Sequence, residues 1–260
     1  MSREPDLTLA AARARGQGSA HLDADPTYVR RYLRKISPVL SWAIGKWTGL
    51  AADHVTVASI AIGSLGGLLL AAGSLPFDLA ALVLLQFGYL LDIADGEVAR
   101  IRGTAGKRGT YLDLIGHVLT NRALYAGASI SLLAITDRAP WAIGVALVTM
   151  AFSWPFGYYA RLHVVGVPGQ NPDHAPRATA APSRPGVLGA VRWLYDNLKF
   201  LWNVPASMNL FCVAIIVDCV RFLGGAGSAL AVPVLLAVFG PSLALKQILH
   251  AVALLRRPDW

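Results

Sequence analysis

Charged residues are scarce in this chain, and their scarcity excludes an ordinary soluble domain. Only 15% of the 260 residues are charged, 55% are apolar, and the mean hydropathy is +0.51. Residues 55–75 carry no charge at all. A helix of that length, at about 1.5 Å per residue, crosses a hydrocarbon core of about 30 Å. The composition therefore predicts one integral membrane unit.

Cysteines are few, residues 1–25 have no apolar core, and no internal repeat is found. Cys212 and Cys219 are seven residues apart on one predicted helix, about 10 Å by helical rise, so they cannot bridge each other. Residues 1–25 are polar and lack the apolar core of a signal peptide, so we predict a disordered cytoplasmic tail there. The sequence has no repeat that would indicate a transporter built of inverted halves.

Six apolar segments predict an all-α transmembrane domain over residues 52–257. Their approximate bounds are 55–75, 77–101, 110–134, 140–163, 205–223 and 229–254. Over residues 26–48, apolar positions recur at helical spacing opposite a basic face, which predicts an amphipathic helix at the membrane interface. A proline-rich stretch at about 166–204 predicts a cytoplasmic loop followed by a surface helix.

Basic residues outnumber acidic ones, 23 to 15, and their distribution indicates the orientation. If the N-terminus lies inside, only Arg138 and Arg221 fall on outer loops or outer span ends. Because Lys and Arg near span ends stay on the cytoplasmic side, we predict that both termini are cytoplasmic. The net charge of +8 then reflects topology first and attraction to anionic membrane lipids second, and no nucleic acid is expected as a partner.

Among the acidic residues that interrupt the apolar pattern of the second and third predicted spans, three are clustered at helical spacing. Asp92 and Asp95 lie in the second span, and Asp113 lies in the third, one helical turn before His117. A carboxylate in hydrocarbon costs roughly 2.5–3.5 kcal/mol, so a cluster of three needs compensation. A divalent cation is the simplest compensation, and hard oxygen ligands favour Mg²⁺ or Mn²⁺.

Helical rise places these acids near the inner boundary of the hydrocarbon. Asp92 lies about 24 Å from the outer end of its span, and the third span starts at the same depth. Gly96, Ala99 and Gly109 lack bulk, which lets a ligand approach the backbone, and Arg100 supplies a fork for phosphate oxygens. These residues by themselves predict a diphosphate substrate that a metal holds at the cytoplasmic membrane surface.

The spacing of these residues resembles the signature of the CDP-alcohol phosphotransferase family, D-x2-D-G-x2-A-R-x8-G-x3-D-x3-D. The chain matches all spacings and seven of the eight marked positions: Asp92, Asp95, Gly96, Ala99, Arg100, Gly109 and Asp113. The family has an Asp at the last position, where this chain has His117. The resemblance implies a homodimeric membrane enzyme whose active site faces the cytoplasm from the cell membrane.

The resemblance also implies roles for the matched residues. Metal ligands around one or two ions would be Asp92, Asp95, Asp113 and His117. Nucleotide and phosphate contacts would be Asp92, Gly96, Ala99, Arg100 and Gly109. An acceptor hydroxyl would attack the phosphorus distal to cytidine, and CMP would leave with its charge neutralised by the metal.

The histidine at the last position has three interpretations. As a general base beside Asp113, the neutral imidazole of His117, with an unperturbed pKa of about 6.5, takes the hydroxyl proton, and we favour this interpretation. As a ligand, imidazole is softer than carboxylate and shifts the preference toward Mn²⁺ or Zn²⁺. In the third interpretation the base is lost, and the protein is a slow or inactive relative that binds CDP-lipid.

We predict transfer of a phosphatidyl group from CDP-diacylglycerol to a small polar alcohol, with release of CMP. The basic surroundings weakly favour a phosphorylated alcohol. The first alternative uses a CDP-alcohol as donor and a lipid alcohol as acceptor. A transporter is less favoured, because the acids do not spread across the depth of the membrane. A non-catalytic binding protein of the same fold stays an alternative.

Other polar residues in the predicted spans are candidates for binding the acceptor or a lipid phosphate. Arg161 ends the fourth span, and Lys246 lies at the depth of the aspartates in the sixth, although positive-inside and snorkelling residues have the same pattern. Asn121 shares the side of the third span that carries the acidic site. Asp218 and Arg221, three apart near the outer end of the fifth span, predict an ion pair.

Overall fold

The computed structural model describes residues 4–17, 32–153, 204–225 and 228–255, and its regular elements there are all helices, as predicted. They are α1 Leu9–Gly16, α2 Arg34–Trp47, α3 Ala52–Leu69, α4 Leu75–Ile101, α5 Lys107–Ile135, α6 Pro140–Phe152, α7 Val204–Leu223 and α8 Ala231–Leu255, with a 3-10 turn, Leu70–Ala72, after α3. The chain divides into two compact units, Met1–Gly127 and Ala128–Trp260.

Four helices of the described residues are long and apolar enough to cross a membrane. They are Ala52–Ala72, Leu75–Ile101, Lys107–Ile135 and Ala231–Leu249. Pro140–Phe152 is apolar but shorter, and the rest of the predicted fourth span lies outside the described residues. The fifth predicted span corresponds to α7. Six membrane crossings and cytoplasmic termini stay predictions.

Glycines allow α3 to contact its neighbours backbone to backbone. A Cβ at Gly67 of α3 would lie 2.5 Å from the backbone nitrogen of Leu124 in α5, and a Cβ at Gly127 would overlap the carbonyl oxygen of Gly67. A Cβ at Gly88 of α4 would lie 2.9 Å from the backbone nitrogen of Gly63. Small residues are typical of helix crossings in membranes, where close van der Waals packing drives association. This glycine contact holds α4 and α5 against α3.

We expect Gly67→Ala to destabilise the purified protein, because the added methyl group would meet the backbone of α5 and not a movable side chain. Overpacking of this kind costs about 1–3 kcal/mol, which lowers the Tm by about 2–10 °C. The matched control is Gly144→Ala in α6, where no described atom lies within 4 Å of the new Cβ. Equal Tm values for the two variants in a thermal unfolding assay would contradict the close approach.

The described part of the predicted tail, residues 4–17, is ordered and contains α1. Leu7 is 3% exposed and packs with Ile101 of α4, and the indole nitrogen of Trp42 in α2 donates to the Leu7 carbonyl at 2.8 Å. The structure therefore differs here from the predicted disordered tail over residues 1–25. The reason is tertiary packing, because the few apolar side chains of this polar segment are buried against α2 and α4.

The helix predicted over residues 26–48 is present as α2, and residues 26–31 lie outside the described part of the chain. One side of α2 joins a buried cluster with α3 and α4, formed by Ile44, Ala52, Val55, Leu91 and Val98. Three large hydrophobic side chains of α2, Ile36, Val39 and Trp47, stay exposed. The location of α2 at a membrane interface stays a prediction.

The second unit contains the predicted ion pair of the fifth span. The Asp218 carboxylate is buried, and Arg221 Nη1 donates to its Oδ1 at 3.0 Å, which confirms the pair. The backbone nitrogens of Leu230 and Ala231 also donate to this carboxylate, at 3.0 and 2.8 Å. Asp218 therefore also stabilises the start of α8, where a negative charge is favourable.

The predicted loop and surface helix at about 166–204 lie outside the described residues. The two cysteines, Cys212 and Cys219, are free, as their spacing on one helix predicted.

Candidate functional site

Asp92 of α4 meets Asp113 and His117 of α5 across the turn that joins the two helices. His117 Nε2 lies 3.3 Å from Asp92 Oδ2 and 3.5 Å from Asp113 Oδ1. One ligand atom from each of the three residues lies within 4.8 Å of the others. The two acidic helix faces are therefore turned toward each other, as the helical spacing predicted. Carboxylate and imidazole groups at such distances are suitable ligands for a divalent cation.

The three side chains are accessible to a ligand. Their exposed fractions are 18% for Asp92, 45% for Asp113 and 36% for His117.

The turn between the helices passes through Gly103, whose φ of 64° lies in the left-handed region that glycine adopts without strain. A five-residue connection, residues 102–106, is enough to return the chain, so the start of α5 lies beside the end of α4.

Asp95 lies one turn from Asp92 but outside the group of three. The residue is 7% exposed, and its buried Oδ2 has no hydrogen-bond partner among the described residues. The hydroxyl of Thr56 in α3 lies beside the carboxylate. A buried carboxylate oxygen without a partner is costly. The unpaired Oδ2 of Asp95 therefore fits a bound cation, as do the neighbouring side chains of Asp92, Asp113 and His117.

Arg100 lies over Gly96 on α4. A Cβ at Gly96 would lie 3.4 Å from Nη1 and 3.7 Å from Nη2 of the guanidinium. The Nε of Arg100 donates to the carbonyl oxygen of Gly16, at the end of α1, at 2.5 Å. The terminal nitrogens, which form the fork that binds phosphate oxygens, are thus placed over the glycine that was predicted to make room for the nucleotide.

The two remaining small residues of the signature have different surroundings. No described atom beyond the immediate turn lies within 4 Å of a Cβ at Gly109, so there is space beside this residue. Ala99 packs against the buried cluster around Ile44 and Val55. Its small size therefore serves helix packing in this structure, and its contact with a nucleotide stays a prediction.

The three candidates for binding the acceptor or lipid phosphate lie in different segments of the chain. Asn121 lies one turn after His117 on α5 and is half-buried. Lys246 is half-buried in α8 of the second unit. Arg161 lies outside the described residues. Their predicted contacts stay predictions.

Glu97 lies next to the site, although the sequence analysis did not identify it as a candidate residue. The residue is 1% exposed. Four donors surround its carboxylate: Ser37 Oγ and Ser41 Oγ at 2.7 Å each, Gln17 Nε2 at 3.2 Å and Arg34 Nη1 at 3.3 Å. The sequence feature that could have identified Glu97 is that it is a fourth acidic residue in the second predicted span, directly after Gly96. Protein donors compensate this charge, whereas among the described residues no comparable set of four donors surrounds Asp92, Asp95 or Asp113.

Sequence comparison identifies the class of protein that carries this site. The profile of the CDP-alcohol phosphatidyltransferase family matches residues 49–180, half of the chain. The chain therefore belongs to the CDP-alcohol phosphatidyltransferase family, which confirms the resemblance found in the signature. No curated protein sequence matches it.

A solved structure shares the fold. The crystal structure of Mycobacterium tuberculosis phosphatidylinositol phosphate synthase with CDP-DAG bound is similar at a TM-score of 0.56 and 18% identity, covering 88% of this chain and 96% of that chain. As a family member, the protein is a membrane transferase of phospholipid biosynthesis that acts on a CDP-linked substrate. This membership favours the predicted enzyme over the transporter.

Proposed function

We propose that the protein transfers a phosphatidyl group from CDP-diacylglycerol to the hydroxyl of a small polar alcohol and releases CMP. The observation that carries this proposal is the convergence of Asp92, Asp113 and His117 within 4.8 Å at the turn between α4 and α5. The synthase of similar fold was crystallised with CDP-DAG, which supports a CDP-lipid as the donor. The basic residues that flank the acidic positions in the sequence, among them Arg102, Lys107 and Arg108, weakly favour an acceptor that is itself phosphorylated.

The donor set suits one or two hard divalent ions. Asp92, Asp113 and His117 would hold the first, and the orphaned oxygen of Asp95 supplies a further ligand nearby. Carboxylate ligands favour Mg²⁺ or Mn²⁺, and the imidazole shifts the balance toward Mn²⁺. When bound, such an ion neutralises the negative charge that develops on the diphosphate as CMP leaves.

We propose that His117 is the general base. Its neutral imidazole accepts the proton of the acceptor hydroxyl, the hydroxyl oxygen forms a bond to the phosphorus distal to cytidine, and the bond from that phosphorus to the CMP oxygen breaks. Asp113, whose Oδ1 lies 3.5 Å from Nε2, stabilises the imidazolium that forms when the ring takes the proton. The terminal nitrogens of Arg100 bind the diphosphate beside Gly96. The base and ligand roles of His117 compete for Nε2, so substitutions are needed to separate them.

The distribution of basic residues supports a multi-pass protein of the cytoplasmic membrane whose site opens to the cytoplasm. We propose that the transmembrane catalytic domain extends over residues 52–257, as predicted, and that the protein is a homodimer, as the family resemblance implies.

A reconstitution assay tests the proposed reaction. Purified protein is supplied with CDP-diacylglycerol, Mg²⁺ or Mn²⁺ and a panel of alcohols with and without a phosphate group, and CMP and the lipid product are measured together. We expect CMP release only when a matching acceptor is present. A parallel reaction with CDP-alcohols and diacylglycerol tests the opposite assignment of donor and acceptor. Binding of CDP-lipid without CMP release for any acceptor would support the non-catalytic relative.

Removal of divalent metal is expected to abolish CMP release. Chelation with EDTA leaves the carboxylates of the site without their cation, and the diphosphate then meets uncompensated negative charge. Activity should return on titration with Mn²⁺ or Mg²⁺. Ca²⁺ is the control, because it has the same charge but prefers more ligands at longer distances. Full activity after exhaustive chelation would contradict a metal-dependent mechanism.

A further inference from the structure

The N-terminal segment, defined as residues 4–17, lies against the stretch of α4 that carries the family signature. At one end of the segment, the backbone nitrogen of Glu4 donates to the Gly45 carbonyl of α2 at 3.2 Å. At the other end, a Cβ at Gly16 would lie 3.2 Å from the Cβ of Glu97. Only a residue without a side chain allows this approach without displacement, so the end of α1 is fitted closely to α4.

Glu97 connects the N-terminal segment to both α2 and α4. Its carboxylate accepts hydrogen bonds from Gln17, at the end of the segment, and from Ser37 and Ser41 of α2. The amide of Gln17 also donates to the Arg34 carbonyl at 2.6 Å. Breaking such a buried network leaves polar groups without partners, so the network specifies one position for the end of α1.

Beside this network, the end of α1 contacts Arg100, a residue of the family signature. Arg100 follows Glu97 by three positions and therefore lies on an adjacent side of α4. Its Nε donates to the Gly16 carbonyl, one of the last carbonyls of α1, where the helix carries partial negative charge. Because a guanidinium is planar, a hydrogen bond at Nε restricts the directions of Nη1 and Nη2. Both of these nitrogens lie over Gly96.

We propose that the N-terminal segment is a positioning element of the nucleotide site, in which Glu97 is the positioning residue and the Gly16 carbonyl orients Arg100 toward the diphosphate of the CDP-linked substrate. Glu97 acts only through Gln17, Gly16 and Arg100 and makes no contact with substrate. The inference rests on the proposed function, since that function supplies the diphosphate. A hydrogen bond to a charged group contributes enough that its loss weakens substrate binding about tenfold or more.

A double-mutant cycle on the KM for CDP-diacylglycerol tests the coupling in the full-length protein. Glu97→Ala and Arg100→Ala are each expected to raise KM about tenfold or more, with a smaller change in kcat. The double variant should be no worse than Arg100→Ala, because Glu97 then has no guanidinium to orient. Gly16→Ala, which displaces the end of α1, should raise KM in the same direction.

The matched control is Arg15→Ala in the same helix. This substitution removes the ion pair between Arg15 Nη1 and Glu4 Oε2, 2.9 Å long with the arginine 51% exposed, and leaves the contacts of Glu97 in place. Its KM should equal that of the wild type. If Glu97→Ala does not fold, Gly16→Ala takes its place in the cycle.

The outcomes separate this inference from the proposed function. Independent effects of Glu97→Ala and Arg100→Ala, which multiply in the double variant, would overturn the inference while the transferase activity stands. A wild type that releases no CMP would instead refute the proposed function. In that case the Kd for CDP-diacylglycerol is measured for the same variants from the thermal stabilisation that the ligand gives. Fold-changes in Kd that multiply in the double variant would again overturn the inference. A double variant no weaker in binding than Arg100→Ala would support it.

Discussion

Asp92→Asn is expected to lower the rate of CMP release by about a thousandfold. The Asp92 carboxylate is the α4 member of the group that it forms with Asp113 and His117, so its charge links the two helices of the site. A catalytic metal contributes several kcal/mol to transition-state stabilisation, and each 1.36 kcal/mol is about tenfold in rate. The measurement is CMP release with the acceptor identified in the panel, across a titration of Mn²⁺ and Mg²⁺.

The control for this variant is Asp53→Asn. Asp53 Oδ2 pairs with Arg108 Nε at 2.9 Å, with the arginine side chain 83% exposed. An exposed ion pair contributes about 0–1 kcal/mol, so this variant should keep its rate and nearly all of its stability. Asp92→Asn should also keep its Tm, since it retains the shape of a partly exposed side chain. A rate near that of the wild type in Asp92→Asn would refute the metal site.

His117→Ala should lower kcat by about 10²–10⁴, the usual contribution of a general base. His117→Asp restores the residue of the family signature and should stay within about tenfold of the wild type, because a carboxylate there can take the same proton. The rates are compared at saturating CDP-diacylglycerol and acceptor. Equal rates for the wild type and His117→Ala would end the base hypothesis.

The metal preference of these variants separates the base role of His117 from the ligand role. If Nε2 is a ligand, His117→Asp should shift the preference from Mn²⁺ toward Mg²⁺, since an oxygen donor replaces a nitrogen donor. An unchanged preference assigns the imidazole to proton transfer alone. His54→Ala is the matched control, because His54 is exposed at the start of α3 and its Nδ1 accepts only a local hydrogen bond, from Ala51 at 3.2 Å.

The helices and the core of the site were predictable because their determinants are local in the sequence. Long apolar segments must be helical in lipid, where each backbone group needs a partner within its own segment. The spacing of Asp113 and His117 on one helix, and a short glycine-rich return after α4, then bring these residues to Asp92. Lipid and helical periodicity together leave few other arrangements for this part of the chain.

The contacts of the N-terminal segment were not predictable, because their determinants are distant in the sequence. Gln17 reaches Glu97 across 80 positions, and Ser37 reaches it across 60. Neither donor has a feature that distinguishes it from a solvated side chain, and a polar, alanine-rich segment has the composition of a tail. Ala99 illustrates the same limit, since its size suits both a nucleotide pocket and the helix packing that the structure contains.

The glycine contact of α3 limits how this protein can diversify. Where Gly67 meets Leu124 and Gly88 meets Gly63, main chain touches main chain, so no side-chain substitution in α3 can widen the gap between the two helices that carry the acids without breaking the crossing. New substrates must then be accommodated by exchanging side chains along α4 and α5 while the separation of the two helices stays constant. Variation among relatives with different products should accordingly concentrate on α5 beyond His117, and the glycine positions should be invariant.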